Sequence, residues 1–357
     1  MTTTLHRGLS FFAASAIVLA LTACATTPLQ PPGDDLRPAT AGSVLRSLST
    51  DRAVEDRILA LDPLRIGDDD VRNTLAKGPT PRIFEVHGGV YPVHLLMQSF
   101  GEFLIGMGYP ENRIRDPGDG AFSQSPYADS ERQAGAIAWY YEREGVRPML
   151  IGHSQGGIQA VKILHELAGT FGPTRRVFDP ITGQFEDRTT IVDPLTGRER
   201  PVVGLSVAYA SVVGTGGWAL VIPVHWKVLP VIRAIPDTVD DFTGFRIGLD
   251  FFAWDAPGLE GVKTFHAAGK ANVRNVTLPA EYSHVFVPST ADLAASPAMR
   301  AWINAFDPDN EKDRAPLPEG PATNVMWAAD VWHSIKMHWC IEAQRLIRAR
   351  RALPATS

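Results

Sequence analysis

Only two of the 357 residues are cysteine, Cys24 and Cys340. No disulfide framework is available on that count, so stability has to come from a packed core. The basic residues are scattered and the net charge is −5. A nucleic-acid surface needs a basic patch or stripe, so nucleic acid is not an expected partner. There is no His-Glu-x-x-His sequence and no glycine-rich phosphate loop. The reading therefore calls for no metal and no organic cofactor.

What the chain does have is enough apolar material, 45% of residues, for a sizeable core. At this length α/β folds commonly fill a single unit. The N-terminus opens on Arg7 followed by the apolar run Leu9 to Leu21. A short basic region before an apolar stretch of that length is a secretory signal rather than a membrane span. It ends in Leu21-Thr22-Ala23-Cys24, which resembles the bacterial lipobox, where cleavage leaves a lipidated cysteine. Ala25 rather than Asp follows, which by the same resemblance implies outer-membrane sorting. The expected organisation is a signal peptide over 1–23, a Pro/Thr/Ala/Gly tether over 24–45 and one domain over 46–357. Cys340 reads as a small apolar residue on a helix face.

Within that domain, strand and helix patterns alternate. Arg82 to Val86 is strand-like, and Val93 to Met107 has helical spacing. Asn112 to Arg115 is a weak strand. Ser130 to Arg143 is a helix, with Ser130 and Gln133 forming a capping box. Met149-Leu150-Ile151 is a buried strand, Gln155 to Ala168 a helix, Val202 to Val213 a strand, and Leu259 to Ala268 a helix carrying His266. Such alternation implies a mostly parallel sheet covered on both faces. Two Asp-Pro-x-Thr-Gly turns, at Asp179 and Asp193, mark a β-hairpin insertion over 176–201. Asp237, Asp240 and Asp241 read as a solvated turn. The apolar residues 217–235 include His225, Lys227 and Arg233, which argues against a membrane span. Within 215–241 they form either a cap over an apolar substrate or a core-packing segment. Residues 323–351 form a helix with Met326, Trp327, Val331, Trp332, Ile335 and Trp339 at apolar spacing. Its basic end, Arg345 to Arg351, either packs or meets anionic lipid.

The chemistry centres on Gly152-His153-Ser154-Gln155-Gly156. The pentapeptide gains meaning from a strand before it and a helix after it, because a sharp strand-to-helix turn lifts a serine hydroxyl clear of the backbone. Gly152 and Gly156 leave room where strand and helix crowd together. The turn also aims the Gln155 amide and the positive helix end at a developing oxyanion. Upstream, His87-Gly88-Gly89 follows a strand, where a backbone amide can face a substrate unobstructed.

These motifs together resemble the α/β-hydrolase superfamily over residues 80–305, especially bacterial lipases and esterases. The resemblance implies an α/β-hydrolase fold with Ser154 as nucleophile. It places a second oxyanion donor on Gly89, with His87 holding the loop. The order Ser…Asp/Glu…His asks for a late histidine after a last strand. His284 follows the strand-like Asn275 to Pro279; His266, His333 and His338 fall on helices. The acid lies between. Asp250 interrupts the apolar run Phe245 to Trp254, where a carboxylate is costly without a partner. Asp255 is the alternative acid, although a helix cap is its simpler role. The expected activity is cleavage of a small-molecule or lipid ester through an acyl-enzyme. Acyl transfer by the same residues and ligand binding without catalysis are the alternatives.

Overall fold

A four-residue segment with apolar side chains facing both ways belongs inside a sheet covered on both sides. In a computed structural model describing residues 43–90, 93–254, 263–312, 314–320 and 322–353, Ile83–Val86 is such a strand, fully buried. The expected signal peptide, Cys24 and the alternative acid Asp255 lie outside the described residues.

Three short helices, α1 (Ser43–Ser47), α2 (Arg52–Ala60) and α3 (Asp68–Asn73), lead into β1 (Ile83–Val86). Helix α4 (Val93–Gly106) and a two-residue edge strand β2 (Ser123–Gln124) follow. Then come α5 (Ser130–Glu144), β3 (Met149–His153) and α6 (Gln155–Leu167). Two small ribbons, β4 (Phe178–Asp179) with β5 (Gln184–Phe185) and β6 (Thr190–Val192) with β7 (Glu199–Pro201), precede β8 (Val207–Val213). Strands β9 (Ala234–Ile235), β10 (Val239–Ile247), β11 (His266–Ala267) and β12 (Asn272–Leu278) come next, then α7 (Pro297–Ala305) and α8 (Val325–Arg351).

The six strands of the main sheet run β12-β10-β8-β3-β1-β2, every neighbouring pair parallel. Successive side chains alternate between two cores. Ile83, Met149, Ile151 and Phe245 face Phe100, Phe103, Trp327, Trp332 and Trp339. Phe84, Leu150, Val212 and Phe242 face Trp139, Tyr140, Ile158 and Ile163. From β1 the chain steps outward to β2, then returns across β1 to β3. Loops after β1 and β3 diverge at this reversal, and crevices at such points are where open parallel sheets bind ligands. This is the α/β-hydrolase architecture.

Several local expectations change. Asn112 to Arg115 is not a strand. Glu111–Arg113 forms a 3-10 turn behind Pro110, with Arg115 bonded to Glu111 one turn back at 2.5 Å. Helix α5 is capped by Asp129, whose carboxylate accepts from the Glu131 amide at 3.0 Å. The Ser130 hydroxyl instead donates to the buried Glu166 at 2.7 Å, so no Ser130–Gln133 box forms.

His266 pairs with Ala234 in a strand rather than lying on a helix. Asp240 and Asp241 are not in a turn but in β10, so the segment available as a cap stops short of Val239. Asp240 binds Arg147 at 2.6 Å, and Asp241 binds His338 at 2.9 Å.

The insertion is two hairpins, one for each Asp-Pro-x-Thr-Gly turn. Asp179 accepts from the Ile181 amide at 2.8 Å, Asp193 from the Leu195 amide at 3.0 Å. Gly183 and Gly197 close the turns at φ +70 and +67, where only glycine sits without strain. Buried Glu142 of α5 anchors the second ribbon by accepting from the Val192 amide and from Arg188.

On α8, Trp327, Val331, Trp332, Ile335 and Trp339 are buried and Met326 is half-buried, as their spacing implies. Its basic end binds protein: Arg345 pairs with Glu342, Arg350 and Arg351 with Glu55. Buried Cys340 has its thiol pushed up to about 12 by loss of water. Among the described residues no helix is long and apolar enough to cross a membrane.

Candidate active site

Strand β3 runs directly into α6, and Ser154 takes the whole reversal at φ 55, ψ −120. A side chain at positive φ is strained and persists only where its surroundings impose it. They do so by close approach. A Cβ on Gly156 would lie 2.0 Å from the Val86 carbonyl oxygen, and one on Gly152 would lie 2.6 Å from the Gly156 carbonyl oxygen. The Ser154 amide meanwhile donates to Val213 at 2.8 Å, so the turn stays tied to the sheet.

Two residues from later loops meet this serine. His284 lies in the irregular chain after β12, and its Nε2 is 2.8 Å from Ser154 Oγ. Its Nδ1 is 2.6 Å from Asp250 Oδ2. A carboxylate only accepts, so Nδ1 carries the proton and Nε2 is left to accept from the hydroxyl. Asp250 follows β10 with its side chain fully buried. Its second oxygen accepts from the Phe252 and Ala253 amides at 3.0 Å each. Those bonds close a turn that holds the carboxylate, and they satisfy an acid that burial would otherwise penalise.

The loop after β1 comes up against the serine and the start of α6. A Cβ on Gly88 would lie 3.3 Å from Ser154 Cβ, and one on Gly89 would strike Gln155 Oε1 at 1.6 Å. His87 Nδ1 donates to the Gly88 carbonyl at 2.7 Å, and Tyr127 Oη donates to the Gly89 carbonyl at 3.1 Å. The His87 bond holds the peptide that carries the Gly89 N–H, and the Tyr127 bond holds the peptide after it. Burial lowers the pKa of His87, which favours the uncharged ring. His153 is buried and points the other way, its Nε2 2.7 Å from the His284 carbonyl. Burial, with the charge of His284 second, lowers its pKa to about 3.

Three contributors escaped the sequence reading. Gly214, at φ +63, backs the His284–Asp250 pair: a Cβ there would lie 2.9 Å from the imidazole. The run Val213-Gly214-Thr215-Gly216-Gly217 directly after a strong strand was its signal. Tyr127 carried no signal. Phe252 stacks on His284 with ring centroids 5.3 Å apart. It belongs to an aromatic cluster in which Trp218 contacts Phe251 and Trp254. Phe251 is 74% exposed and Trp218 53%. Val221, Trp226, Leu249 and Phe286 are exposed on the same group of loops. All of these loops leave the carboxyl ends of strands, the end of the sheet at which Ser154 lies, and Phe252 joins the aromatic cluster to His284.

The segment expected as cap or core has one side packed and the other exposed. Gly217–Val221 and Pro223–Val231 are 3-10 turns that bury His225 and Val228 and expose Trp218, Val221 and Trp226. Lys162 of α6 donates to the Val224 carbonyl at 3.0 Å from beneath. Among the described residues no cluster of three or more His, Cys, Asp or Glu is placed to hold a metal ion.

No family model and no curated protein matches the chain. Solved structures with distant similarity include RedJ and a Pseudomonas putida esterase. RedJ with a PEG molecule in its active site is 16% identical, covers 62% of this chain and 89% of its own, and has a TM-score of 0.29. A thermostable esterase from Pseudomonas putida ECU1011 is 12% identical, covers 70% and 94%, and has a TM-score of 0.31.

Proposed function

We propose that the protein is a serine hydrolase of carboxylic esters, with Ser154 as nucleophile, His284 as general base and Asp250 as the acid that orients it. The observation carrying this reading is the hydrogen-bonded chain Ser154–His284–Asp250 on a strained strand-to-helix turn. In the reaction His284 Nε2 takes the Ser154 hydroxyl proton as Oγ attacks the ester carbonyl. The Gln155 and Gly89 amides hold the resulting oxyanion, the first of them at the positive end of α6. Collapse breaks the bond to the alkoxide, which leaves with the proton from His284. Water, deprotonated by the same imidazole, then releases the acid and regenerates the serine. Asp250 keeps Nδ1 protonated throughout, so Nε2 is always the working nitrogen.

The rim of Phe251, Phe252, Trp218 and Trp254 supports an apolar acyl or alcohol group as the part of the substrate that binds. Such exposed aromatic surface lowers its free energy when covered. A panel of nitrophenyl esters of increasing chain length, together with a fluorophosphonate probe, tests the reading. Turnover and labelling that vanish in Ser154→Ala support it; activity unchanged in that variant overturns it. We also infer export and lipid anchoring through Cys24 at an outer membrane. The mass of the mature N-terminus, compared with that of Cys24→Ala, tests this.

A further inference from the structure

The hydrolase reading accounts for Ser154 but leaves its neighbour unexplained. His153 is 1% exposed, and imidazole is an expensive group to bury without a task. Its Nε2 lies 2.7 Å from the main-chain oxygen of His284. A carbonyl oxygen only accepts, so His153 is the Nε2–H tautomer and donates. Among the described residues its Nδ1 finds no hydrogen-bond partner, which leaves this one bond as the ring's polar function there. The two imidazoles lie with centroids 5.4 Å apart.

The consequence is a closed ring of contacts. Ser154 Oγ meets His284 Nε2, the His284 carbonyl meets His153 Nε2, and His153 is bonded covalently to Ser154. The loop that carries His284 has no helix or strand between β12 and the turn at Ala291. Its other ties lead to two elements: α8, where the Met326 amide donates to Tyr282 Oη at 3.2 Å and the capping Asn324 donates to the Phe286 carbonyl at 2.7 Å, and α4, where Ser99 accepts from the Thr290 amide at 3.1 Å. Neither fixes the base relative to the nucleophile. The His153 bond does so across the shortest path available.

We propose that His153 is a positioning residue for the hydrolytic reaction: it pins the backbone of the general base His284 to the strand end that presents Ser154. This rests on the serine-hydrolase reading for its kinetic consequence, but the tie itself can be read without turnover. Misplacement of a reacting group by about 1 Å costs on the order of 10²-fold in rate. A floating His284 backbone therefore lowers kcat while leaving substrate binding alone.

The test compares His153→Gln, His153→Asn and His153→Leu in the full chain. Glutamine has nearly the reach of the imidazole and an N–H at its end; asparagine is polar but too short; leucine fills space without donating. Expected are a fall in kcat of about 10- to 100-fold for the Asn and Leu variants, KM within about twofold, and recovery to within about fivefold in Gln. The second readout is the downfield proton resonance of His284 Nδ1–H, shared with Asp250. It should persist in wild type and Gln and weaken through exchange in Asn and Leu. If leucine prevents folding, the Asn–Gln pair carries the comparison. A folded Asn variant with wild-type kcat and an unchanged resonance overturns the proposal, as does a Gln variant no better than Asn. Wild-type protein that neither turns over esters nor labels at Ser154 sinks the hydrolase reading instead, and the resonance still decides the tie.

Discussion

Asp250 Oδ2 accepts the His284 Nδ1 proton at 2.6 Å, and nothing else touches that oxygen among the hydrogen bonds described. Its partner oxygen is already occupied by two backbone amides, so the carboxylate cannot rotate to offer a substitute. In Asp250→Asn the amide nitrogen competes for the Nδ1 position and favours the wrong imidazole tautomer. A loss in kcat of about 10³–10⁴-fold with a nearly unchanged melting temperature is expected from steady-state assays and a thermal scan. Asp255→Asn should stay within about threefold of wild type, and a larger loss would reassign the acid.

The two glycines around the elbow should separate folding from catalysis. Gly89→Ala places a methyl against the end of the flexible Gln155 side chain, which can swing away. It should fold, with kcat down by about 10²-fold as the donor amide shifts. Gly156→Ala places its methyl against the Val86 main-chain carbonyl, which cannot move without breaking the sheet. Soluble expression compared across the two variants reads the difference: little or none is expected for Gly156→Ala.

Buried neutral histidines make the fold sensitive to acid. Burial lowers the pKa of His153 to about 3 and of His225 to about 4, both from 6.5 in the free ring. Between those values and 6.5 the unfolded chain binds protons that the native state does not. Their stabilising contribution is therefore complete above pH 6.5 and declines as the pH falls, by at most about 1.4 kcal/mol per unit for each ring. Melting temperatures from pH 8 to pH 4.5 should drop less steeply in His225→Leu than in wild type.

Glu85 works in the opposite sense. It is buried in β1, neither carboxyl oxygen has a hydrogen-bond partner among the described residues, and burial raises its pKa well above 4.5. The native state holds a proton there that the unfolded chain releases, so stability falls as the pH rises past 4.5. Glu85→Gln copies the protonated shape without that penalty. It should be more stable at pH 7 by about 1 kcal/mol, measured by denaturant titration, and the gain should vanish near pH 4.

Trp218→Ala combined with Phe251→Ala removes two exposed aromatics of the rim and leaves the buried core intact. Removing two large apolar side chains from a binding surface should raise KM for long-chain esters about tenfold. KM for an acetyl ester should change by less than about twofold. Equal effects on both would mean that the rim does not hold the chain.

The parts of the molecule that could be read directly from the sequence are those where local and global demands agree. Met149 to Gly157 needs a strand, a turn and a helix in that order, and every residue there serves the same arrangement. Ser154, His284 and Asp250, picked out by motif, by chain order and by the cost of a carboxylate in an apolar run, lie together, with His284 within hydrogen-bond distance of each of the others, and the variants above test their roles. What stayed hidden depended on partners far along the chain. Ser130 could cap its own helix, but Glu166, in contact only after folding, takes its hydroxyl. The edge strand Ser123–Gln124 is too short to show a period, and exists because β1 offers it bonds. His266 was placed on a helix because its pairing with Ala234 is invisible without the sheet. Asp240 and Asp241 looked solvated because Arg147 and His338 lie far from them in sequence.

The final helix α8 supplies Trp327, Trp332 and Trp339 to the core on one face of the main sheet. Phe100 and Phe103 of α4 cover part of that face, but the core there is incomplete until α8 has been made. A polypeptide emerging N-terminus first, from a ribosome or through a narrow pore, thus cannot lock its native form early. The core on that face closes only when Trp327, Trp332 and Trp339 are in place.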